Sequence, residues 1–502
     1  MREETARLSK TPRHEFRGFR LWGRREQSEP YPSGGSVPAF LLCFFAALFF
    51  SPSLAGQEPE TSPADFNLTL TGDSIITTPA RAHQKDPRFM AVVDAVRQGD
   101  AAFTNLELTF PGPDTYPAGG PRAGLIGADP ALMKELQWIG LNLFGAANNH
   151  SLDYGTQGVL DTIEVLKRNG AVYAGIGENL GKARAPGYLS TPHGRVALIS
   201  CASTIEEDSP AGQARPDLRG RPGLNPLRHD TRYRVDAATF EALRKMKNDL
   251  HLTGSSAGAG SPQTLAFSFP ASSVYPLSVT FELSDKPGVV STPDVHDVAA
   301  LTHTIRDARE FSDYVVVSIH AHEGMPGADP LGTPAQFVVE FAHAAIDAGA
   351  DLLVASGPHV LRGIEIYKGK PIFYSLGNFI FENWLVVPEP TEFYERFGLG
   401  LEALPSEAYE ARSDHGRRDE PSNPLYWQSA VAQVLFRDGR PDEVTLTPFT
   451  LGFGKRAPDR GYPELADPAA ATEILGRLQK LSQPFGTAIA IRNGVGRITI
   501  ER

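Results

Sequence analysis

Apolar runs of four to six residues recur along the chain, and five of them stop at a short polar block. Leu68–Thr71 runs into Gly72-Asp73, Ala101–Thr104 into Asn105-Leu106-Glu107, and Leu141–Ala146 into Asn148-Asn149-His150. Tyr314–Ile319 runs into His320-Ala321-His322-Glu323, and Asp351–Ala355 is followed closely by Pro358-His359. Short apolar runs rich in β-branched residues read as strands covered on both faces. Between them lie stretches with helical spacing. Arg88–Gln98 carries Met90, Val93 and Val96. Asp129–Trp138 begins with an N-cap aspartate and a first-turn proline, and Thr156–Arg168 ends at Asn169-Gly170.

The same pattern continues. Val172-Tyr173 and Arg195–Ser200 read as strands, and Asp236–Leu250, Asp294–Phe311 and Thr333–Ala348 as helices. Gly363–Tyr367 and Pro371–Tyr374 form a hairpin about Lys368-Gly369-Lys370, Trp427–Phe436 and Glu443–Leu451 a second about Asp438-Gly439-Arg440, and Pro468–Ser482 is a last helix. Strands alternating with helices and then pairing with each other predict an α/β sandwich. The expected organisation is one domain over residues 66–455 with insertions near 206–224, 254–293 and 386–423, and a C-terminal helix and strand, 456–502, packed on it.

The N-terminus breaks the pattern. Residues 1–36 carry eight Lys/Arg against five Asp/Glu, and Val37–Phe50 is an apolar run of fourteen residues that leads to Ser53-Leu54-Ala55-Gly56. A charged start, a short apolar core and a small-residue exit form a secretory signal over residues 1–56, with a retained signal anchor as the alternative. Residues 57–65 are a polar linker. Export to the periplasm or another extracytoplasmic space is expected, with membrane contact only through residues 37–50. A formal net charge of −11 excludes general nucleic-acid binding, which needs a basic footprint. Two cysteines, Cys43 and Cys201, exclude a disulfide framework and a cysteine-type zinc site; Cys201 ends a strand and reads as a small buried apolar residue.

In α/β sheets the functional crevice lies beyond the carboxyl ends of the strands. If the five strands share that arrangement, their polar blocks meet at one rim. Asp73, Glu107, Asn149, His320, His322 and His359 are then six candidate metal ligands of oxygen and nitrogen type, enough for two divalent ions drawn from manganese, iron, zinc and magnesium. His320 and His322 are two residues apart and share a face if the strand continues, while Glu323 faces the other way. His303 and His343 lie mid-helix and read as structural.

The blocks in order, from Thr71-Gly72-Asp73 and Asn105-Leu106-Glu107 through Ala147-Asn148-Asn149-His150 and Asp153-Tyr154-Gly155, Arg221-Pro222-Gly223-Leu224-Asn225-Pro226, Val317-Ser318-Ile319-His320 and Pro358-His359-Val360-Leu361 to Gly369-Lys370-Pro371-Ile372-Phe373-Tyr374-Ser375-Leu376-Gly377-Asn378-Phe379, resemble the capsule-synthesis CapA family. That family is linked to poly-gamma-glutamate capsule assembly and belongs to the calcineurin-like metallophosphoesterase superfamily. The resemblance covers about residues 66–384 and implies a four-layer α/β/β/α fold with a two-metal site. It implies Glu107 as the bridging carboxylate, Asp73, Asn149, His320 and His359 as ligands, and His150, with Asp153 in its loop, as the catalytic proton donor. Two positions depart from the family. Ile75 stands where a histidine would follow the first aspartate, and Gly357 holds the first histidine of a His-Pro-His block. His322 is the candidate to replace the latter in space. Asn105, Asn148, Arg221, Asn225 and Glu323 are the expected substrate-binding residues. The implied function is hydrolysis of a phosphoester or polymer amide in envelope-polymer synthesis, with an anionic polymer or phosphoester as substrate. The alternative is a non-catalytic binding component of an envelope assembly or export complex.

Overall fold

Strands that are apolar on both faces need cover on both sides, and two sheets and two sets of helices supply it here. The computed structural model describes residues 65–119, 124–252, 263–269, 277–327 and 329–501. The expected targeting segment and the linker up to residue 64 therefore lie outside the described residues. Within the described residues, no helix is long and apolar enough to cross a membrane.

The larger sheet is built on four parallel strands, Phe66–Ile75 (β1), Ala101–Leu106 (β2), Leu143–Gly145 (β3) and Val172–Ala174 (β4), in that spatial order. It continues beyond β1 through the antiparallel hairpin Gln428–Arg437 and Arg440–Thr450. The second sheet sets Gly194–Ala202, Tyr314–His320, Leu352–Ser356 and Lys370–Phe373 parallel to one another, with an antiparallel strand at each edge. The expected mixed α/β class is the class observed.

Side-chain alternation along each strand divides the core. Val196, Leu198, Tyr314 and Val316 pack with Leu68, Leu70 and Phe103 of the larger sheet. Their neighbours Ala197, Ile199, Val315 and Val317 pack instead with Leu301 and Ile305 of the helix Val295–Glu310 and with Phe337 and Phe341 of Gln336–Asp347. The larger sheet's other face packs with three helices, Pro87–Arg97 (α1), Met133–Ile139 (α2) and Gly155–Arg168 (α3), through Phe89, Val93, Leu136 and Val159. Asp86 starts α1 by accepting from the Arg88 N–H at 2.8 Å. The buried face of α1 is Phe89, Val92, Val93, Ala95 and Val96, so Val93 and Val96 are buried as expected while Met90 is only partly buried and Phe89 takes its place. Asp129 caps a single 3₁₀ turn, Pro130–Leu132, that leads into α2. Cys201 is fully buried, which pushes its thiol pKa up.

The irregular stretches have structure of their own. His229–Val235, Thr264–Phe269, Leu277–Leu283 and Gly288–Pro293 form a separate four-stranded sheet beside the helix Ala237–Asp249. Residues 386–423 hold two short helices, Thr391–Arg396 and Pro405–Arg412, about a small cluster of Trp384, Phe393, Ala408 and Tyr409.

Candidate metal centre

All five polar blocks sit at the carboxyl ends of parallel strands or just beyond them. β1 carries an irregularity there. It pairs with Gln428–Arg437 as far as Leu70, then turns to Asn378–Phe381, so that Asp73 pairs with both Asn105 and Asn378. Gly72 makes this possible, since a Cβ on it would collide with the Gly377 carbonyl. The Asp73 carboxylate is fully buried; Oδ1 accepts from Asn105 Nδ2 at 2.8 Å and Oδ2 from the Gly357 N–H at 3.2 Å.

Glu107 follows β2 directly and is held by its own N–H, which donates to the Ser74 carbonyl at 3.2 Å. Both of its carboxylate oxygens are buried without a hydrogen-bond partner. A buried carboxylate with neither oxygen satisfied is costly unless a cation or donor answers it. Three imidazoles stand near. His320 Nε2 is 3.8 Å and His359 Nε2 3.5 Å from Glu107 Oε1, and His322 Nε2 is 3.0 Å from His320 Nε2. Two donor groups result, Glu107 with His320 and His322, and Asp73 with Glu107 and His359, each with its atoms within 4.8 Å of one another. One carboxylate shared by two sets of oxygen and nitrogen donors fits a pair of divalent ions. Asn149 Oδ1, a neutral oxygen, is likewise buried and unpartnered in the same cleft.

The electrostatics of His320 and His322 agree with ligation. Burial pushes the His320 and His322 pKa values well below the usual histidine range, and the neighbouring rings push them further, so both are neutral at neutral pH, the form that binds metal. Burial likewise raises the Glu107 carboxyl, with Asp73 adding and His359 opposing. His359 sits in the left-handed region at φ 58°, a strained conformation for a side-chain-bearing residue. Its Nδ1–H donates to Asn378 Oδ1 at 2.7 Å. Asn378 Nδ2 donates to the carbonyls of His359 and Tyr426, which fixes the amide orientation and hence the ring tautomer, leaving Nε2 toward Glu107.

His150 also lines the cleft. Its Nδ1–H donates to Asp153 Oδ2 at 2.6 Å, and the same oxygen accepts from the Ile126 N–H at 2.7 Å. Asp153 is buried and fixed, so the ring is oriented with Nε2 free to hold or release a proton. The cleft encloses about 360 Å³ and is lined by Asn149, His150, His322 and His359 together with Asn383, Arg412, Glu420 and Tyr426.

The expected substrate-binding residues are placed differently. Asn105 is buried, and its amide nitrogen spans Asp73 Oδ1 and, at 3.2 Å, His320 Nδ1, so it orients two ligands instead of meeting substrate. Asn148 is also buried and staples its loop to the end of β2 through the Leu106 carbonyl at 2.7 Å. Glu323 accepts from Ser203 and Thr204; Thr204 in turn accepts the His322 N–H, so Glu323 supports that loop from behind. Asn225 is buried against the Ser200 carbonyl. Arg221 is exposed and donates to the Pro210 carbonyl. None of these five is among the residues that line the cleft. Ile75 lies in the apolar core and offers no ligand.

Three contributors escaped the sequence reading. Asn378 was within a quoted block but given no role. Arg362, just after Pro358-His359-Val360-Leu361, is buried and donates to the carbonyls of His322, Glu323 and Leu331 at 2.9 to 3.0 Å, which clamps the loop that carries His322. Arg412 comes from an insertion whose sequence gives no sign of facing the cleft.

The match to known proteins follows the same ground. Residues 67–383, which hold every ligand candidate, match the family described as bacterial capsule synthesis protein PGA_cap. The "uncharacterized protein y4uA" of Sinorhizobium fredii is 35% identical over 446 residues, 87% of this chain and 93% of that protein. The chain belongs to the bacterial capsule synthesis protein family. Within it, the "capsule biosynthesis protein CapA" of Bacillus anthracis is 26% identical over 257 residues, 51% of this chain and 44% of its own. A "probable polyglutamine synthesis accessory protein" of Mycobacterium tuberculosis is 27% identical over 234 residues, 47% of this chain and 43% of its own. The family match ends at residue 383, so Arg412, Glu420 and Tyr426 belong to a wall of the cleft outside the matched family region.

Proposed function

We propose that this protein is an exported metal-dependent hydrolase that cleaves a phosphoester or amide bond during synthesis of a capsule or envelope polymer. The observation that carries the reading is Glu107, whose carboxylate oxygens are buried without a hydrogen-bond partner and which is shared between two donor groups, together with a His150–Asp153 pair whose histidine lines the cleft. Asp73, Glu107 and His359 would hold one ion, and Glu107, His320 and His322 the other, with Asn149 Oδ1 beside them. Divalent ions so bound supply Lewis-acid polarisation of a phosphoryl or carbonyl oxygen. The chain's own residues do the rest. Asn105, Asn378 and Gly357 hold the donors in place, and His150, oriented by Asp153, delivers a proton from Nε2 to the leaving group. The names of two relatives, which speak of capsule biosynthesis and polyglutamine synthesis, support polymer synthesis as the context. Export through residues 37–50, retention near the membrane and association with an envelope export complex belong to the same proposal.

The test is hydrolysis by the purified chain of bis(p-nitrophenyl) phosphate and of poly-gamma-glutamate, with and without chelator. Chelator-sensitive cleavage of either, lost in Asp73→Ala and His150→Ala, is expected. Stoichiometric metal with no cleavage of either substrate would instead assign the chain to a binding role.

A further inference from the structure

We infer that Arg412 forms a subsite for an oxyanion, a carboxylate or phosphate group that flanks the bond held at the metal centre. The word substrate here rests on the hydrolase reading above; the anion site itself rests on the geometry of the cleft wall.

Arg412 ends the helix Pro405–Arg412 and lines the same cleft as His150 and His359. Among the described residues that line the cleft it carries the one guanidinium or ammonium group. Its side chain is 15% exposed and held from two directions. The guanidinium carbon lies 4.8 Å over the Trp384 ring, and Nη2 is 3.3 Å from Glu420 Oε1. Trp384 belongs to the apolar cluster of the insertion, so the platform under the guanidinium is itself packed. Stacking on an aromatic face with the planar fork left open is the arrangement in which arginine receives carboxylate or phosphate through two parallel N–H groups.

The fork is also under-used. Among the described residues, Glu420 is its one hydrogen-bond acceptor, through a single nitrogen, and the other Glu420 oxygen is buried without a partner. An incoming oxyanion can therefore take the remaining donors while Glu420 keeps the side chain from swinging away. The cleft, at about 360 Å³, has room for a charged group beside the reacting bond. Arg412 and Glu420 lie beyond residue 383, so the subsite is built from residues outside the matched family region that holds the ligand candidates.

Calorimetric titration of the full chain, with metal content measured in the same samples, tests this with two probes, inorganic phosphate and a gamma-glutamyl trimer. Arg412→Gln should weaken at least one probe tenfold or more, and Arg412→Lys should recover part of the loss. Glu420→Gln, which frees the guanidinium, should tighten the same probe severalfold. The probe affected tells phosphate from carboxylate recognition. Opposite shifts in the two Gln variants with unchanged metal content establish the subsite. Wild-type protein that binds neither probe, unchanged affinities in both variants, or equal weakening in both would overturn it. Arg412-dependent binding by a chain that holds no metal would keep the subsite and sink the hydrolase reading instead.

Discussion

His322 occupies the room that a side chain on Gly357 would need: a Cβ there would lie 2.9 Å from His322 Cδ2 and 3.1 Å from His320 Nε2. Residue 357 also sits at φ 109°, which disfavours any side chain. The glycine at one strand end and the histidine two residues past another are thus spatially coupled. Gly357→Ala should destabilise the fold by about 1–3 kcal/mol, from backbone strain together with the clash. In a His322→Ala background the clash is relieved, and urea unfolding should show a smaller cost, with a non-additive double-mutant cycle.

His322→Ala should also remove one donor from the group it forms with Glu107 and His320 and leave the Asp73, Glu107 and His359 group intact. The expected result is a fall from two bound ions to one per chain, read by elemental analysis of protein purified with manganese or zinc. An unchanged count would show that His322 is not a ligand.

Asp153→Asn keeps an oxygen that can accept both contacts but removes the negative charge from the group that orients His150. Turnover of bis(p-nitrophenyl) phosphate should drop by about 10²–10³-fold, in the range of lost general acid catalysis, with metal content unchanged. A matching loss of metal would point to a structural role.

Asn378→Ala leaves the His359 ring without the acceptor that sets its tautomer. Outer partners of this kind typically contribute about 10–100-fold in metal affinity, so chelator competition should show a loss of that size with the fold intact by circular dichroism.

A pH effect is expected from Glu389, where burial raises the carboxyl from an ordinary 4.5 to about 7 against hydrogen bonds from the Leu125 N–H and Tyr409. The folded state holds this proton more tightly than the unfolded chain. Its contribution is therefore full below pH about 4.5 and lost as pH rises through about 7. Glu389→Gln should match wild type near pH 4.5 and exceed it by about 1–2 kcal/mol at pH 8, measured by urea unfolding at both values. A constant difference across the range would exclude this assignment.

The strands and the side chains at their ends were legible because two physical signals coincide: an apolar run that must be buried on both faces, and a polar block where the strand leaves the core. Tyr314–His320 and Leu352–Ser356 show this well, each fully buried with its candidate ligands at or beyond the last residue. What the pattern cannot convey is which way an amide faces. Asn105 and Asn148 stand in the same blocks as the ligands, yet both turn inward to hold a neighbour. Arg221 and Asn225 flank a Pro-Gly pair in a segment whose residues are not among those that line the cleft. His229–Val235 alternates polar residues on a half-covered surface, too weak a pattern to announce a strand, and its partners lie more than twenty residues on. Arg412 gives no local signal at all, because its role depends on where two short helices dock.

The strand Gln428–Arg437 pairs with β1 on the side away from β2, and the Tyr426 carbonyl just before it anchors the Asn378 amide that orients His359. A nascent polypeptide that has emerged only as far as His359 already contains every ligand candidate, but neither of these supports. The centre is thus a late product of synthesis. This arrangement of donors therefore draws on residues made well after the last ligand candidate, including the strand that closes back on β1.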